Sequence, residues 1–170
     1  AHADEAIWSA LKDGGKVVLM RHAAVERGAS PVKRVPGNCA AEMNISSLGR
    51  VQAQKISEAF RRHAVPIGEV LASPYCRAME TARLAFGKAK ESEALMLREV
   101  LDAQEANKRT DDAMRLIGNH RGTANLVLVT HQPNIEAIAL ESVEPAGMLV
   151  LKPTGGGEFD VLGRLPAPRD

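Results

Sequence analysis

The sequence predicts an α/β fold, a three-layer α/β/α sandwich with a mostly parallel central sheet. Two continuous apolar runs, Lys16–Met20 and Leu126–Val129, have the length of strands and lack the apolar–polar alternation of a half-exposed sheet. Such runs are typical of strands that are buried on both faces. Amphipathic segments of helical length separate the apolar runs, and this alternation indicates helices on both faces of a parallel sheet.

Capping residues, glycine and proline divide the first half of the chain into elements. A glycine pair ends the first helix, a serine caps the second, and a proline precedes the third, which ends at a glycine. Between the first strand and the second helix the chain has no periodicity, which predicts a long loop of the kind that often carries function. In order, we predict a helix over Asp4–Leu11, a strand over Lys16–Met20, the loop from Ala24 to Ala41, a helix from Ser46 or Ser47 to about His63, a strand over Val70–Ser73 and a helix over Tyr75–Phe86.

The second half continues the alternation and ends in a predicted hairpin. Its strands are assigned from short apolar runs and its turns from proline and glycine. Thr110 is assigned as the cap of a helix because a periodic apolar pattern follows it. In order, we predict a strand over Ala94–Leu97, a helix from Thr110 to about Gly118, a strand over Leu126–Val129, a helix over Asn134–Leu140 and hairpin strands over Met148–Leu151 and Glu158–Leu162.

The composition limits the classes of partner. With 170 residues, 45% of them hydrophobic, residues 1–170 can form a single domain with its own core. The formal net charge of +1 excludes a global basic field, and the aromatic content of 3% is too low for the stacking surfaces of single-strand binders. No apolar run approaches the roughly 20 residues of a membrane helix. We therefore expect no nucleic-acid partner and no membrane span.

Arginine and histidine side chains directly follow three of the predicted strands. Arg21 and His22 follow the first strand, Arg77 lies in the helix after the second, and His131 follows Leu126–Val129. Sites in parallel sheets form beyond the carboxyl ends of the strands, so we expect these side chains to converge. Arginine binds phosphate oxygens in a bidentate manner, and neutral histidine can act as a nucleophile. The set predicts a site for phosphoryl groups.

Each of these residues alone has a simpler interpretation. A single histidine after a strand is more often a structural hydrogen-bonding group, and a single arginine on a helix is usually a surface cation. Neither histidine has the spacing of a metal ligand, and Cys39 and Cys76 are far apart in the sequence, so we expect no metal site. The two cysteines are compatible with one disulfide or with two free thiols.

Three segments of the sequence carry a family resemblance. They are Leu19-Met20-Arg21-His22-Ala23, Ser73-Pro74-Tyr75-Cys76-Arg77-Ala78-Met79-Glu80-Thr81-Ala82 and Val129-Thr130-His131. In this order they resemble the signature segments of the histidine phosphatase superfamily, in its phosphoglycerate mutase-like branch 1. Leu48-Gly49-Arg50-Val51-Gln52-Ala53 is similar to the signature of the family's first helix. The resemblance covers about Lys16 to Leu151 and implies a phosphoglycerate mutase-like fold and a small phosphohydrolase.

The resemblance also implies a role for each matching residue. His22 would attack phosphorus and become phosphohistidine, while Arg21, Arg77 and His131 would bind the phosphoryl oxygens. No metal or other cofactor is implied, because the arginines supply the positive charge. The alternatives are a phosphomutase or phosphotransferase with the same nucleophile, and a catalytically silent phosphate-binding module.

The acid/base of the family follows its third strand in a Leu-x-Glu setting. Leu97-Arg98-Glu99 is similar to that setting, so Glu99 would protonate the leaving oxygen and then activate water. Asp102 is the reserve candidate, and a plain exposed surface glutamate is the alternative interpretation of Glu99.

Two positions depart from the family pattern. Ala23 stands where most members have glycine, which should be tolerated if its φ is negative. Gly28 stands where the mutases often have an asparagine that helps to hold phosphate. Together with the short chain, this favours hydrolysis over transfer.

The substrate and the compartment are expected only by class. A small phosphorylated molecule, a phosphorylated glycan or a phosphoprotein are all compatible, and Arg27, Lys33 and Arg34 in the long loop are expected to shape the mouth of the site. The first residues, Ala1-His2-Ala3, suggest a periplasmic or secreted protein whose leader has been removed, with a cytoplasmic protein as the alternative. The oligomeric state is not predicted.

Overall fold

Six strands form one sheet, and its central strands run parallel. The structure is a computed structural model that describes residues 2–27 and 38–168. The strands are β1 Val17–Arg21, β2 Ile67–Ala72, β3 Lys90–Glu91, β4 Asn125–Thr130, β5 Met148–Gly155 and β6 Glu158–Leu165. In the order β3-β2-β4-β1-β5-β6, the first four strands run parallel, whereas β5 is antiparallel to β1 and β6 is antiparallel to β5.

Helices cover both faces of this sheet, which confirms the predicted three-layer α/β/α architecture. The helices are α1 His2–Lys12, α2 Ser47–Arg62, α3 Cys76–Phe86, α4 Ala103–Gly118 and α5 Gln132–Ala139. Alternate side chains of β1 divide between two apolar clusters: Val18 and Met20 pack towards α1, α2 and α3, whereas Val17 and Leu19 pack towards α4 and α5. Every residue of β4 is buried, as expected for a central strand. None of the helices in the described part of the chain combines the length and the apolar character of a membrane span.

Local capping signals explain most of the helix boundaries. Ser46 caps α2, because its hydroxyl accepts a hydrogen bond from the Gly49 amide at 3.1 Å. Gly87 ends α3 in the left-handed conformation, with φ of 79°. Both residues had been assigned these positions from the sequence.

The segment between β3 and α4 differs from the prediction. Ala94–Leu97 is not a strand: its first two residues belong to the 3-10 turn Glu93–Leu95, a second 3-10 turn, Arg98–Val100, follows it, and only the two-residue β3 extends the sheet on this side. The predicted strand was wrong because its apolar residues are buried without strand pairing: Leu95 is part of an apolar cluster on one face of the sheet, and Leu97 lines a cavity.

The start of α4 also differs from the prediction. Asp102, not Thr110, caps this helix, since the Asp102 carboxylate accepts from the Glu105 amide at 2.8 Å. Thr110 lies inside the helix, where its hydroxyl accepts from the Arg98 guanidinium at 2.7 Å. Asp102 and Glu105 together make the usual local signal of a helix start, which outweighs the threonine further along.

Cys39 and Cys76 form a disulfide. Their Cα atoms lie 5.6 Å apart, within the range of a disulfide, although 37 positions separate them in the sequence. The bond joins the 3-10 turn Cys39–Ala41 to the first residue of α3, next to Arg77. The described residues contain no free cysteine.

We expect the disulfide to stabilise the fold substantially. Closing a loop of this length limits the entropy of the unfolded chain and contributes about 4 kcal/mol in the chain-entropy model. Replacing both cysteines by serine should lower the free energy of urea unfolding by an amount of that order, and reducing the wild-type protein should have the same effect. An equal stability of oxidised and reduced protein would contradict this expectation.

Candidate active site

The parallel strands bring the predicted side chains to one edge of the sheet. Arg21 at the end of β1 pairs with Thr130 at the end of β4. The pairing continues one residue beyond each strand: the His22 amide donates to the Thr130 carbonyl, and the Ser73 amide donates to the Val129 carbonyl, both at 3.0 Å. The segments after β1, β2 and β4 therefore leave the sheet at the same level.

A cavity of about 230 Å³ opens at this edge. All five residues predicted to act on phosphate lie on its wall, although they come from four separate parts of the chain. Glu99 is the most exposed of them, whereas the two histidines are buried. The lining residues are Arg21, His22, Met43, Tyr75, Arg77, Leu97, Glu99, His131, Gln132 and Pro133.

The ring of His22 is held in one tautomer. Its Nδ1 lies 2.9 Å from the Ala23 carbonyl oxygen. Because a carbonyl oxygen can only accept a hydrogen bond, Nδ1 carries the ring proton and Nε2 keeps a free lone pair. Burial lowers the pKa of His22 to about 4, and the positive charges of Arg77 and Arg21 act in the same direction. The ring is therefore a neutral potential nucleophile at physiological pH.

The backbone after His22 is fixed to α3. The Ala23 amide donates to the Thr81 hydroxyl at 3.0 Å, and this hydroxyl donates to the Arg77 carbonyl at 2.7 Å. Ala23 is fully buried and is not among the residues with a positive φ, which explains why alanine is accepted where glycine is usual. Thr81 thus links the segment that carries His22 to the helical turn that carries Arg77.

His131 lies beside His22, with 5.4 Å between the ring centroids. Its Nε2 is 2.7 Å from the hydroxyl of Ser73, at the end of β2. Burial, followed by the charges of His22, Arg77 and Arg21, lowers the pKa of His131 well below the usual value. In the absence of a ligand, both imidazoles of the cavity are therefore neutral.

Two guanidinium groups provide the positive charge. Arg21 donates from Nη1 to the Val143 carbonyl at 3.0 Å, and the guanidinium of Arg77 lies over the ring of Tyr75, 4.6 Å from its centroid. Burial lowers the pKa of both arginines, but a guanidinium stays protonated in proteins. Both charges are thus held in place by contacts that leave further N–H groups available.

Two residues that line this cavity each have a buried side-chain nitrogen without a hydrogen-bond partner. Among the described residues, the buried side-chain nitrogens without a partner are Nε of Arg21 and Nδ1 of His131. A buried donor without an acceptor costs about 1–3 kcal/mol, and such groups are rare in native structures. Both belong to residues predicted to bind phosphate. An oxyanion in the cavity could accept from both.

The first half of the chain matches a protein family. Residues 17–99 match the model described as histidine phosphatase superfamily (branch 1). This segment of the chain thus has the sequence pattern of the histidine phosphatase superfamily. The match confirms the resemblance at the two sequence segments that it contains, those of Arg21-His22 and of Arg77. Among curated proteins, no match to the chain was found.

Solved structures of histidine phosphatase folds resemble the whole domain. The protein histidine phosphatase SixA, complexed with tungstate, is 13% identical, with a TM-score of 0.64 over 89% of this chain and 96% of that chain. The mycobacterial glucosyl-3-phosphoglycerate phosphatase, complexed with VO3, is 15% identical, with a TM-score of 0.61 over 87% and 97%. A mutant phosphoserine phosphatase from Entamoeba histolytica, in complex with phosphoserine, is 13% identical, with a TM-score of 0.61 over 88% and 95%. At these identities the likeness establishes the fold.

The two candidates for the acid/base differ in their surroundings. Glu99 lines the cavity, within the turn Arg98–Val100. Asp102 is exposed, does not line the cavity, and uses its carboxylate to cap α4. The geometry therefore favours Glu99 over Asp102.

Sequence reasoning missed the apolar part of the cavity wall. Tyr75 contacts two of the three phosphate-binding candidates. Its ring lies under the guanidinium of Arg77, and its centroid is 5.3 Å from that of the His131 ring. Its place directly after Ser73-Pro74, at the end of a buried strand, was a signal that could have identified it. Met43 carried no such signal, because it reaches the cavity from a distant loop.

The loop predicted to shape the mouth is only partly described. Arg27 is exposed and does not line this cavity. Gly28, Lys33 and Arg34 lie outside the described residues, so their predicted roles stay predictions.

One group of potential metal ligands occurs in the described part of the chain. It consists of Cys39, Glu42 and Cys76. Both sulfur atoms are in the disulfide and cannot act as thiolate ligands. The expectation of a metal-independent site stays a prediction.

We expect the low pKa of His22 to make the fold less stable in acid. Between about pH 6.5 and 4 the unfolded chain binds a proton that folded His22 does not, so the free energy of unfolding falls as the pH falls. The slope is about 1.4 kcal/mol per pH unit for one histidine in the middle of this window, and His131 adds a contribution of the same sign. Urea unfolding at several pH values should show a shallower slope for His22→Gln. Equal slopes for the two proteins would contradict the assignment.

Removing the carboxylate of Asp102 should affect stability and not turnover. The variant Asp102→Ala loses the cap of α4, which costs about 1 kcal/mol. Urea unfolding measures the loss. The value of kcat/KM for phenyl phosphate, whose poor leaving group requires a general acid, should stay within about twofold of the wild-type value, since a lost exposed cap changes no group on the cavity wall. A large decrease of kcat/KM at unchanged stability would instead make Asp102 the acid/base.

Proposed function

We propose that this chain is a metal-independent phosphatase that hydrolyses phosphate monoesters through a phosphohistidine on His22. One observation carries the proposal: Arg21 and His131, each with a buried side-chain nitrogen that has no hydrogen-bond partner, line the same cavity as the neutral, single-tautomer ring of His22. A phosphoryl group would supply acceptor oxygens to both donors. The family match and the phosphatases among the structural neighbours support this reaction class.

In the first step, a phosphate ester binds with its oxygens towards Arg21, Arg77 and His131. The Ser73 hydroxyl donates to Nε2 of His131, so that Nδ1 carries the ring proton and donates to a phosphoryl oxygen. Two guanidinium groups balance the charge of a phosphate dianion and stabilise the charge that develops on the equatorial oxygens. The same arginines help to keep His22 unprotonated before the substrate arrives.

Nε2 of His22 then attacks phosphorus in line with the leaving oxygen. The N–P bond forms, the ester O–P bond breaks, and the leaving oxygen takes a proton from the carboxylic acid of Glu99. The hydrogen bond from Nδ1 to the Ala23 carbonyl supports the positive charge that the ring acquires.

Water completes the reaction. The carboxylate of Glu99 accepts a proton from a water molecule, which attacks phosphohistidine and releases inorganic phosphate. His22 returns to its neutral tautomer, and Glu99 is again protonated for the next cycle. The cycle consumes one phosphate ester and one water molecule, and every group of the cavity wall returns to its starting state.

The substrate is proposed by class only. The structural neighbours include a protein histidine phosphatase, a phosphoserine phosphatase and a glucosyl-3-phosphoglycerate phosphatase. A small phosphorylated molecule is the substrate class we favour, with a phosphorylated glycan or protein as alternatives. Tyr75, Leu97 and Pro133 give the wall an apolar side that would contact the part of the substrate next to the phosphate.

A brief reaction with a radiolabelled phosphate ester tests the intermediate. We expect acid-labile, alkali-stable label in the wild type and none in His22→Ala. With p-nitrophenyl phosphate, Glu99→Gln should accumulate the phosphoenzyme, because loss of the base slows its hydrolysis by about 10²- to 10⁴-fold. Glu158→Gln is the matched control, since Glu158 is an exposed glutamate on β6.

The same experiment distinguishes the alternatives. Full turnover by His22→Ala would refute the nucleophile. Label that leaves the enzyme only when an alcohol acceptor is added would indicate a phosphotransferase. Tight vanadate binding without any label or turnover would indicate a phosphate-binding module.

We further propose that the protein acts in an oxidising compartment, the periplasm or the extracellular space, rather than in the cytoplasm. The Cys39–Cys76 disulfide supports this, since disulfides persist mainly in such compartments. Protein isolated from its native compartment and denatured should show no reactive thiol. Two reactive thiols would contradict the proposal.

A further inference from the structure

Asn134 connects the helix that follows His131 to the segment that carries Glu99. It lies in the first turn of α5, and only 3% of its surface is exposed. Its side-chain Nδ2 donates to the Met96 carbonyl at 2.7 Å, and its Oδ1 accepts from the Arg98 amide at 3.2 Å. Both backbone partners lie within three residues of Glu99.

The segment that Asn134 binds lies outside the pairing of the sheet. It consists of the 3-10 turns Glu93–Leu95 and Arg98–Val100 with Met96 and Leu97 between them, and its backbone hydrogen bonds are local ones within these turns. Thr130 donates to the Leu95 carbonyl at 2.8 Å, and the Arg98 side chain is bound to α4. Among these contacts, Asn134 makes the ones to the backbone directly before Glu99.

The contact needs a side chain that both donates and accepts. An aspartate of the same size lacks the N–H group that binds Met96, and a leucine lacks both polar groups. A buried amide that satisfies one N–H and one carbonyl of an irregular segment fixes that segment relative to the helix. The helix in turn begins directly after His131.

We propose that Asn134 is a positioning residue, which sets the place of Glu99 relative to the phosphoryl group at His131. This rests on the proposed function, in which Glu99 transfers protons to and from the reacting oxygens. A general acid must lie about 2.6–3.2 Å from the atom that it protonates, and a misplacement of 1 Å can lower the rate about 10²-fold. One buried side chain thereby joins the phosphate site to the acid/base.

The test uses substrates that differ in their need for a general acid. Phenyl phosphate has a poor leaving group that requires protonation, whereas p-nitrophenyl phosphate has a good leaving group that does not. In Asn134→Ala we expect kcat/KM for phenyl phosphate to fall about 30- to 100-fold and for p-nitrophenyl phosphate less than about threefold. Vanadate inhibition should be unchanged, because the phosphate site is intact.

Two further variants control for stability and for loss of a remote amide. Asn134→Gln keeps a donor and an acceptor on a side chain that is longer by one methylene, so it should give an intermediate selectivity if Asn134→Ala does not fold. Asn119→Ala removes an exposed asparagine that binds the Gly157 amide at 3.1 Å, away from the cavity, and should not change the ratio of the two substrates.

The result also separates this inference from the proposed function. Suppose that Glu99→Gln loses more kcat/KM for phenyl phosphate than for p-nitrophenyl phosphate. An equal loss of kcat/KM for the two substrates in a folded Asn134 variant would then overturn the positioning role alone. If Glu99→Gln shows no such selectivity, the acid/base role of Glu99 is wrong, and the inference is wrong with it. Trapping of phosphohistidine on His22 tests the nucleophile independently of both results.

Discussion

Parallel pairing among β1, β4 and β2 is the constraint on which the site depends. A reactive or polar residue ends or directly follows each of these strands, and pairing in register brings the strand ends to one level of the sheet edge. His22 and Ser73 even continue the hydrogen bonding of the sheet by one amide each. Residues scattered over more than a hundred positions thus share one cavity because the apolar strands before them are buried together.

The electrostatics of the cavity follow from that burial. Burial and the charges of two arginines keep both imidazoles neutral, which suits His22 to its proposed role as nucleophile and lowers the stability of the fold in acid. The same burial leaves Arg21 Nε and His131 Nδ1 without acceptors. A folded protein tolerates such unsatisfied groups where other interactions offset them, and at an oxyanion site they become binding energy when the ligand arrives. The same two nitrogen atoms therefore lower the stability of the ligand-free protein and favour the binding of an oxyanion.

The side of the cavity with the proposed acid/base is built differently from the side with the proposed phosphate-binding residues. Arg21, His22 and His131 are placed by strand pairing, whereas Glu99 lies in a 3-10 turn outside the sheet. Side-chain contacts from Thr130 and Asn134 take the place of strand hydrogen bonds there. The position of Glu99 therefore depends on these side-chain contacts rather than on the pairing of the sheet.

Short-range patterns in the sequence determined much of this structure. The apolar runs predicted the central strands, Ser46 and Gly87 predicted helix ends, and the arginines and histidines after the strands predicted which side chains converge. These signals depend on neighbouring residues, so they are visible in one dimension. Only the tertiary structure decided the Cys39–Cys76 pairing, the tautomer of His22, the irregular segment before Glu99 and the contributions of Met43 and Tyr75 to the wall. Each of these depends on contacts between distant parts of the chain, whose distances arise from packing and are not encoded in local periodicity.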